Sequence, residues 1–257
     1  MEGKVIPAIT PDRTYENWKT LGTVLFGFMT ALIFVVLQMA TMTFIVVSRK
    51  PELTAPQLQD MLLAAQSDGF VISLTTIVTM IVCCAIVAGV IKLKRGSNLA
   101  DYLAIKSVPT RALIAWLGIL IALIAASDLV SLYLGRPLVP SFMTSTYATA
   151  QPVWLLWVAL VFAAPVFEEI FFRGFLYKGF ASGFIGPMGS VILIAGLWAA
   201  IHTQYDAYDM GTIFITGVAL GLARMRTGSL LVPLAMHATA NIVANAEVAI
   251  LSWYSVT

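Results

Sequence analysis

Charge is what this sequence has least of. Asp, Glu, Lys and Arg make up 11% of its 257 residues, where soluble domains run near 25%. So few charges cannot cover a water-facing surface. That excludes an ordinary soluble enzyme, and equally a disordered chain or a coiled coil. The charges nearly cancel, with 15 Lys and Arg against 13 Asp and Glu, so there is no basic footprint for nucleic acid. Cysteine is also scarce. Cys83 and Cys84 stand side by side in an apolar run, a spacing that excludes a disulfide framework and a CxxC metal site and leaves small packing residues. The start is polar as far as Lys19 and lacks the basic stretch and small-residue cleavage site of a signal peptide. Glu2, not glycine, follows Met1, which argues against myristoylation. No repeat of fixed period and no low-complexity tract occurs.

What remains is hydrophobic: 60% of the residues, with a mean hydropathy of +0.91. A membrane span needs about 20 mostly apolar residues to cross roughly 30 Å of hydrocarbon. Runs meeting or approaching that length begin at Thr20, Gly69, Ala112, Pro152, Gly179, Met210 and Thr227; the run from Met210 to Ala223 is the shortest. Lipid cannot satisfy a bare backbone, so each must be a helix or a strand of a closed barrel. The runs are too long and too continuously apolar for barrel strands. The expected fold is an all-α, polytopic membrane protein of about seven transmembrane helices, multi-pass in its membrane, with lipid as its surroundings.

The remaining charges orient it. Lys92, Lys94, Arg95, Lys106 and Arg111 face one acid, Asp101, in one loop, which the positive-inside rule places in the cytoplasm. The N-terminal segment with Lys4, Arg13 and Lys19 then shares that side, as do Arg173, Lys178, Arg224 and Arg226. Asp206 and Asp209 fall on the far side, as does residues 52–68. That segment carries Thr54-Ala-Pro56, a helix start suited to a short interfacial helix. Arg49 and Lys50 on the outer side run against the rule. Gly217 and Gly221 form a GxxxG spacing that favours close helix packing.

An ionisable side chain inside a membrane is expensive and is a functional candidate by default. Asp128 and Glu247 lie near expected helix ends and read as interfacial or packing residues. Glu168-Glu169-Ile-Phe-Phe-Arg173 stands deep in the fourth run. Adjacent helical residues point about 100° apart, while Glu169 and Arg173, at i,i+4, share a face and can pair. Glu168 is left without a local cation. Burial without a counter-charge raises a carboxylate's proton affinity, which suits a general base near neutral pH. The chain has two histidines, both within expected spans. Glu168 and His202 are equally far from Ile185 in an expected hairpin turn, so they should reach similar depth. Trp198 is i−4 to His202, and Asn241 is i+4 to His237 on the same helix face. Pro165 and Pro233 each precede a site residue and can free a carbonyl and kink the helix.

A carboxylate, two imidazoles and a carboxamide can together activate water and hold an oxyanion. Nothing here makes a serine or cysteine nucleophile: Ser182-Gly183 lacks the first glycine of a GxSG motif. HExxH and GxGD are absent too.

Three motifs in order, EExxxR (Glu168, Glu169, Arg173), aromatic-xxx-His (Trp198, His202) and HxxxN (His237, Asn241), resemble the type II CAAX prenyl endopeptidase family, the broad membrane family also known as CAAX proteases and bacteriocin-processing enzymes or Abi proteins. Arg224-Met-Arg-Thr-Gly-Ser-Leu resembles the family's approach to its last motif. The resemblance covers roughly residues 152–245. It divides the chain into residues 1–150, helices without a signature, and residues 151–257, the catalytic bundle. The one departure is Trp198, where the family usually has phenylalanine.

The resemblance implies intramembrane endoproteolysis of a membrane-associated protein or peptide. Carried onto this chain, Glu168 and His202 activate the water and His237 and Asn241 hold the oxyanion, while Glu169, Arg173 and Trp198 are structural support. The family has been read both as metallopeptidase and as glutamate-dependent and metal-free. No cofactor is expected here; the alternative is a Zn²⁺ on Glu168, His202 and His237. Two other classes compete. One is a noncatalytic membrane scaffold or immunity protein on the same fold. The other is a small transporter with a proton relay, which the lack of an inverted repeat disfavours.

Overall fold

The computed structural model describes residues 17–50 and 52–256. Glu2, Lys4 and Arg13, used above, lie outside the described residues. Among those described there is no β-strand, and all seven apolar runs are helical. Five helices are long and apolar enough to cross a membrane: α1 (Thr20–Arg49), α3 (Gly69–Leu93), α5 (Thr110–Tyr133), α7 (Val153–Ala181) and α10 (Leu231–Val256). Between them lie the shorter α2 (Ala55–Ala65), α4 (Leu99–Leu103) and α6 (Ser141–Thr149). The other two runs form α8 (Gly186–Ala200), apolar but only 15 residues long, and α9 (Ala207–Thr227). At 1.5 Å per residue α8 is about 22 Å long, too short to span the hydrocarbon alone. Helix α9 carries Asp209, Arg224 and Arg226 within its length. The protein is an all-α, multi-pass integral membrane protein.

Local chemistry sets the boundaries. Helix α2 starts on a reciprocal cap between Thr54 and Gln57, with Pro56 in the first turn, as the Thr-Ala-Pro start foretold. Asp68 caps α3 by accepting from the Val71 N–H at 2.9 Å. The same carboxylate pairs with Arg49 at 3.1 Å, and the Arg49 guanidinium lies over the Phe70 ring. Arg49 is thus neutralised locally by Asp68. Asp206 caps α9, and Gly228, at φ 62°, ends it in the left-handed conformation that glycine adopts without strain.

In lipid the apolar effect does not drive helices together, so close backbone approach and interhelical polar bonds must. Helices α8 and α9 show this. A Cβ placed on Gly217 would lie 3.2 Å from Ala195 Cα, and one on Gly221 would lie 2.8 Å from Val191. The GxxxG spacing is therefore spent on this contact. The hydroxyls of Ser73, Thr75 and Thr79 turn inward on α3 and donate to carbonyls of their own helix, so polar groups are buried without orphaned donors.

Helix α7 is the centre of the bundle. Residues 171–177 are buried on every side. Phe167 stacks on Phe34 of α1, and Phe175 stacks on Tyr102 of α4. Two stretches of α7, Val158–Ala163 and Glu169–Leu176, take the wider π register, a form that concentrates at functional sites.

Three expectations need correction. Arg173 does not face the cytoplasm: it is 1% exposed, inside the bundle, because its charge is matched there. Arg224 is buried as well, donating from Nε to the Arg173 carbonyl at 3.1 Å, with its guanidinium over the Tyr177 ring. Pro233 sits in the first turn of α10, where its missing N–H would be unpaired anyway, so it breaks nothing.

Candidate active site

A cavity of about 720 Å³ opens within the bundle. All four residues expected to do chemistry line it: Glu168 of α7, His202 beyond α8, and His237 and Asn241 of α10. The helices without a sequence signature also build its wall, through Phe34, Gln38, Thr75, Thr79, Asp128 and Ser131.

The two acids of EExxxR diverge as the helical wheel requires. Glu169 turns into protein and is fully buried. Its Oε1 accepts from Arg173 Nη1 at 2.9 Å and faces His237 Nδ1 at 2.9 Å. Arg173 is held further by the Gly217 carbonyl, 3.2 Å from Nη2, and its guanidinium lies 4.6 Å from the Trp198 ring centre. Glu168 instead faces the cavity, with its side chain 19% exposed. Its Oε2 accepts from the Trp198 indole at 2.5 Å and lies 4.0 Å from His237 Nε2.

The histidines are oriented by what their Nδ1 atoms touch. A carbonyl or carboxylate oxygen only accepts, so each Nδ1 carries a proton. His202 donates to the Trp198 carbonyl at 2.7 Å, one of the carbonyls that a helix leaves unpaired at its C-terminus. His202 therefore caps the end of α8 and sits just past it, not inside a span as its apolar setting suggested. In the neutral ring its Nε2 is an acceptor. His237 donates Nδ1–H to Glu169, so its Nε2 accepts when the ring is neutral and donates only when the ring is protonated. Both rings meet Trp198 edge-on, with centroids at 5.1 and 5.2 Å.

Asn241 is placed by a proline. In the π register of residues 158–163, the Leu160 carbonyl would pair with the N–H five residues on, which is Pro165 and has none. Asn241 Nδ2 takes that carbonyl at 2.6 Å. Its second N–H remains for other use, and the Asn241 backbone carbonyl accepts from Asn245 Nδ2 at 2.7 Å.

The outer rim carries residues that sequence reading passed over. Tyr205 lies against the His202 ring. Burial first, then the negative charges of Asp209 and Glu168, push its phenol up to about 12, so it stays a neutral O–H. Arg136 bonds Asp206 and lies over the Tyr208 ring. The Asp206 carboxyl is held below the usual range, first by the Asp209 N–H and then by Arg136. Tyr208 reaches across to Ser131 at 3.0 Å. Asp128, near the C-terminal end of α5, and Glu247, within α10, also line the cavity. The i,i+3 spacing of Asp128 and Ser131 inside an apolar run was the signal available for this face.

The sequence offered Glu168, His202 and His237 as an alternative Zn²⁺ site. Among the described residues no three His, Cys, Asp or Glu side chains are grouped to hold a metal ion. Both imidazoles are held through Nδ1, His202 by the Trp198 carbonyl and His237 by Glu169, which leaves each Nε2 outside these bonds, while the Trp198 indole engages Glu168 Oε2.

A multi-helix membrane bundle around a carboxylate and two oriented imidazoles is the class this fold defines. Residues 150–243 match the type II CAAX prenyl endopeptidase Rce1-like family, the stretch that carries all three motifs. Two curated relatives are similar over part of their length. An Escherichia coli "uncharacterized 24.3 kDa protein" is 33% identical over 100 residues, 37% of this chain and 46% of that protein. The Bacillus subtilis uncharacterized protein YyaK is 27% identical over 110 residues, 39% of this chain and 36% of that protein. The match spans less than half of each relative. No solved structure matches the chain.

Proposed function

We propose that this protein is an intramembrane endopeptidase that hydrolyses a peptide bond of a membrane-associated protein or peptide, with water activated by Glu168 and no metal ion. The observation that carries the reading is the convergence of Glu168, His202 and His237 on one cavity, with each imidazole turned by a fixed hydrogen bond. The family match over residues 150–243 supports it independently.

The reaction follows from the donors and acceptors available. A water bound in the cavity gives one proton to Glu168 while its remaining O–H donates a hydrogen bond to His202 Nε2. The water oxygen adds to the scissile carbonyl carbon, and the carbonyl oxygen becomes an oxyanion. The spare N–H of Asn241 and the protonated Nε2 of His237 donate to it. Glu169 keeps His237 turned and supplies the counter-charge for its imidazolium. Collapse of the intermediate breaks the C–N bond, and the proton on Glu168 passes to the departing amine. Arg173 supplies the positive charge that pairs with Glu169.

The test is purified protein in lipid nanodiscs with quenched fluorescent peptides, prenylated and unprenylated. Glu168→Gln should keep the wild-type melting temperature and lose turnover. Wild-type activity should survive a strong chelator, with no stoichiometric zinc by elemental analysis. Near-normal kcat in Glu168→Gln refutes the assignment of the base. One zinc per active chain, with activity lost to chelation and restored by zinc, refutes the metal-free route.

A further inference from the structure

We propose that Trp198 is a positioning residue whose indole N–H holds the Glu168 carboxylate for its water, an inference that rests on the role given to Glu168 above. Sequence comparison marks Trp198 as a small departure, one aromatic for another. The structure assigns it a bond that phenylalanine cannot make.

Glu168 needs an outside donor. The nearby cation, Arg173, is spent on Glu169, and no lysine or arginine lines the cavity among the described residues. A glutamate at a cavity edge, with no fixed partner, samples several rotamers. Loss of a reactive orientation of even about 1 Å costs on the order of 100-fold in rate. The indole N–H, 2.5 Å from Glu168 Oε2, removes that freedom and leaves the other carboxylate oxygen for the water's proton.

The donor is itself immobile. Trp198 is 4% exposed. The Arg173 guanidinium covers its ring, and the two histidines meet it edge-on. The backbone of α9 closes the remaining side: a Cβ on Gly217 would lie 3.0 Å from Trp198 Cε3. One side chain thus touches the base, both imidazoles and the buried cation. Through its carbonyl it also turns His202.

The experiment has two readouts. The first needs no activity. In nanodisc protein labelled with ¹⁵N at the indoles, the Trp198 resonance is identified by its loss in Trp198→Phe. Its proton should lie downfield, as expected for a bond to a carboxylate, and move upfield in Glu168→Ala. The second is kinetic. Trp198→Phe should lower kcat about 10- to 100-fold, the scale of one hydrogen bond to a charged group, with KM within about twofold. Site-specific benzothienylalanine, which keeps the bicyclic shape and lacks the N–H, should reproduce that loss and keep the melting temperature. A role in packing alone predicts the reverse, with normal kcat for the isosteric analogue. That result, or an indole resonance indifferent to Glu168→Ala, overturns the inference. An inactive Glu168→Gln beside a fully active Trp198→Phe defeats this inference alone, whereas an active Glu168→Gln defeats the base assignment it rests on.

Discussion

Arg173→Ala should be among the most damaging single substitutions in this protein, through stability before chemistry. Arg173 is 1% exposed and Glu169 fully buried, joined at 2.9 Å. Removing the guanidinium strands the Glu169 carboxylate in protein, where breaking one partner of a buried pair costs about 3–5 kcal/mol. The bond to the Gly217 carbonyl and the stacking on Trp198 go with it, but these are coupled to the pair and do not add in full. At about 2–4 °C per kcal/mol for a chain this size, the melting temperature should fall by roughly 6–20 °C. The assay is thermal unfolding in nanodiscs, followed by circular dichroism. Two controls isolate the cause. Arg226→Ala, on the exposed side of α9, should change stability by less than about 0.5 kcal/mol. The double substitution Glu169→Gln with Arg173→Met removes both charges and keeps the volume, so it should be clearly more stable than Arg173→Ala alone. If Arg173→Ala melts within about 2 °C of wild type, or the double substitution is worse than the single, the buried-pair account is wrong.

Asn241→Ala should lower kcat by about 10²–10³ with KM little changed, the usual cost of an oxyanion donor, and Asn241→Asp should be worse because it sets a carboxylate against developing negative charge; tolerance of aspartate refutes the donor role. Ser97→Cys, in a background with Cys83 and Cys84 replaced by alanine, should react with impermeant thiol reagents only from the cytoplasmic side, and labelling of intact cells from outside reverses the proposed topology.

How much of this was legible beforehand differs between particular residues. The all-α fold and the placing of its helices were readable because lipid imposes one requirement on every crossing segment, a long apolar helix; the span number was not, since five helices rather than about seven are long and apolar enough to cross. The divergence of Glu168 from the Glu169–Arg173 pair was readable because helix geometry alone sends adjacent residues apart and brings i,i+4 residues together. The three motifs were readable as a resemblance because each is short and lies within, or just past the end of, one helix.

Only the tertiary structure decided the rest, since it depends on which helices meet. Nothing in the order of residues says that Glu169 of α7 turns His237 of α10, or that Trp198 of α8 donates to Glu168. The π register of α7 joins Pro165 to Asn241 through one orphaned carbonyl, and a proline signals a free carbonyl without saying what will take it. Asp128 and Glu247 read as helix-end charges because depth along one helix is all that sequence can estimate; the facing of α5 and α10 put them in the cavity wall. The chemistry of each side chain is set by its own residue, and its partner is set by packing between elements far apart in the chain.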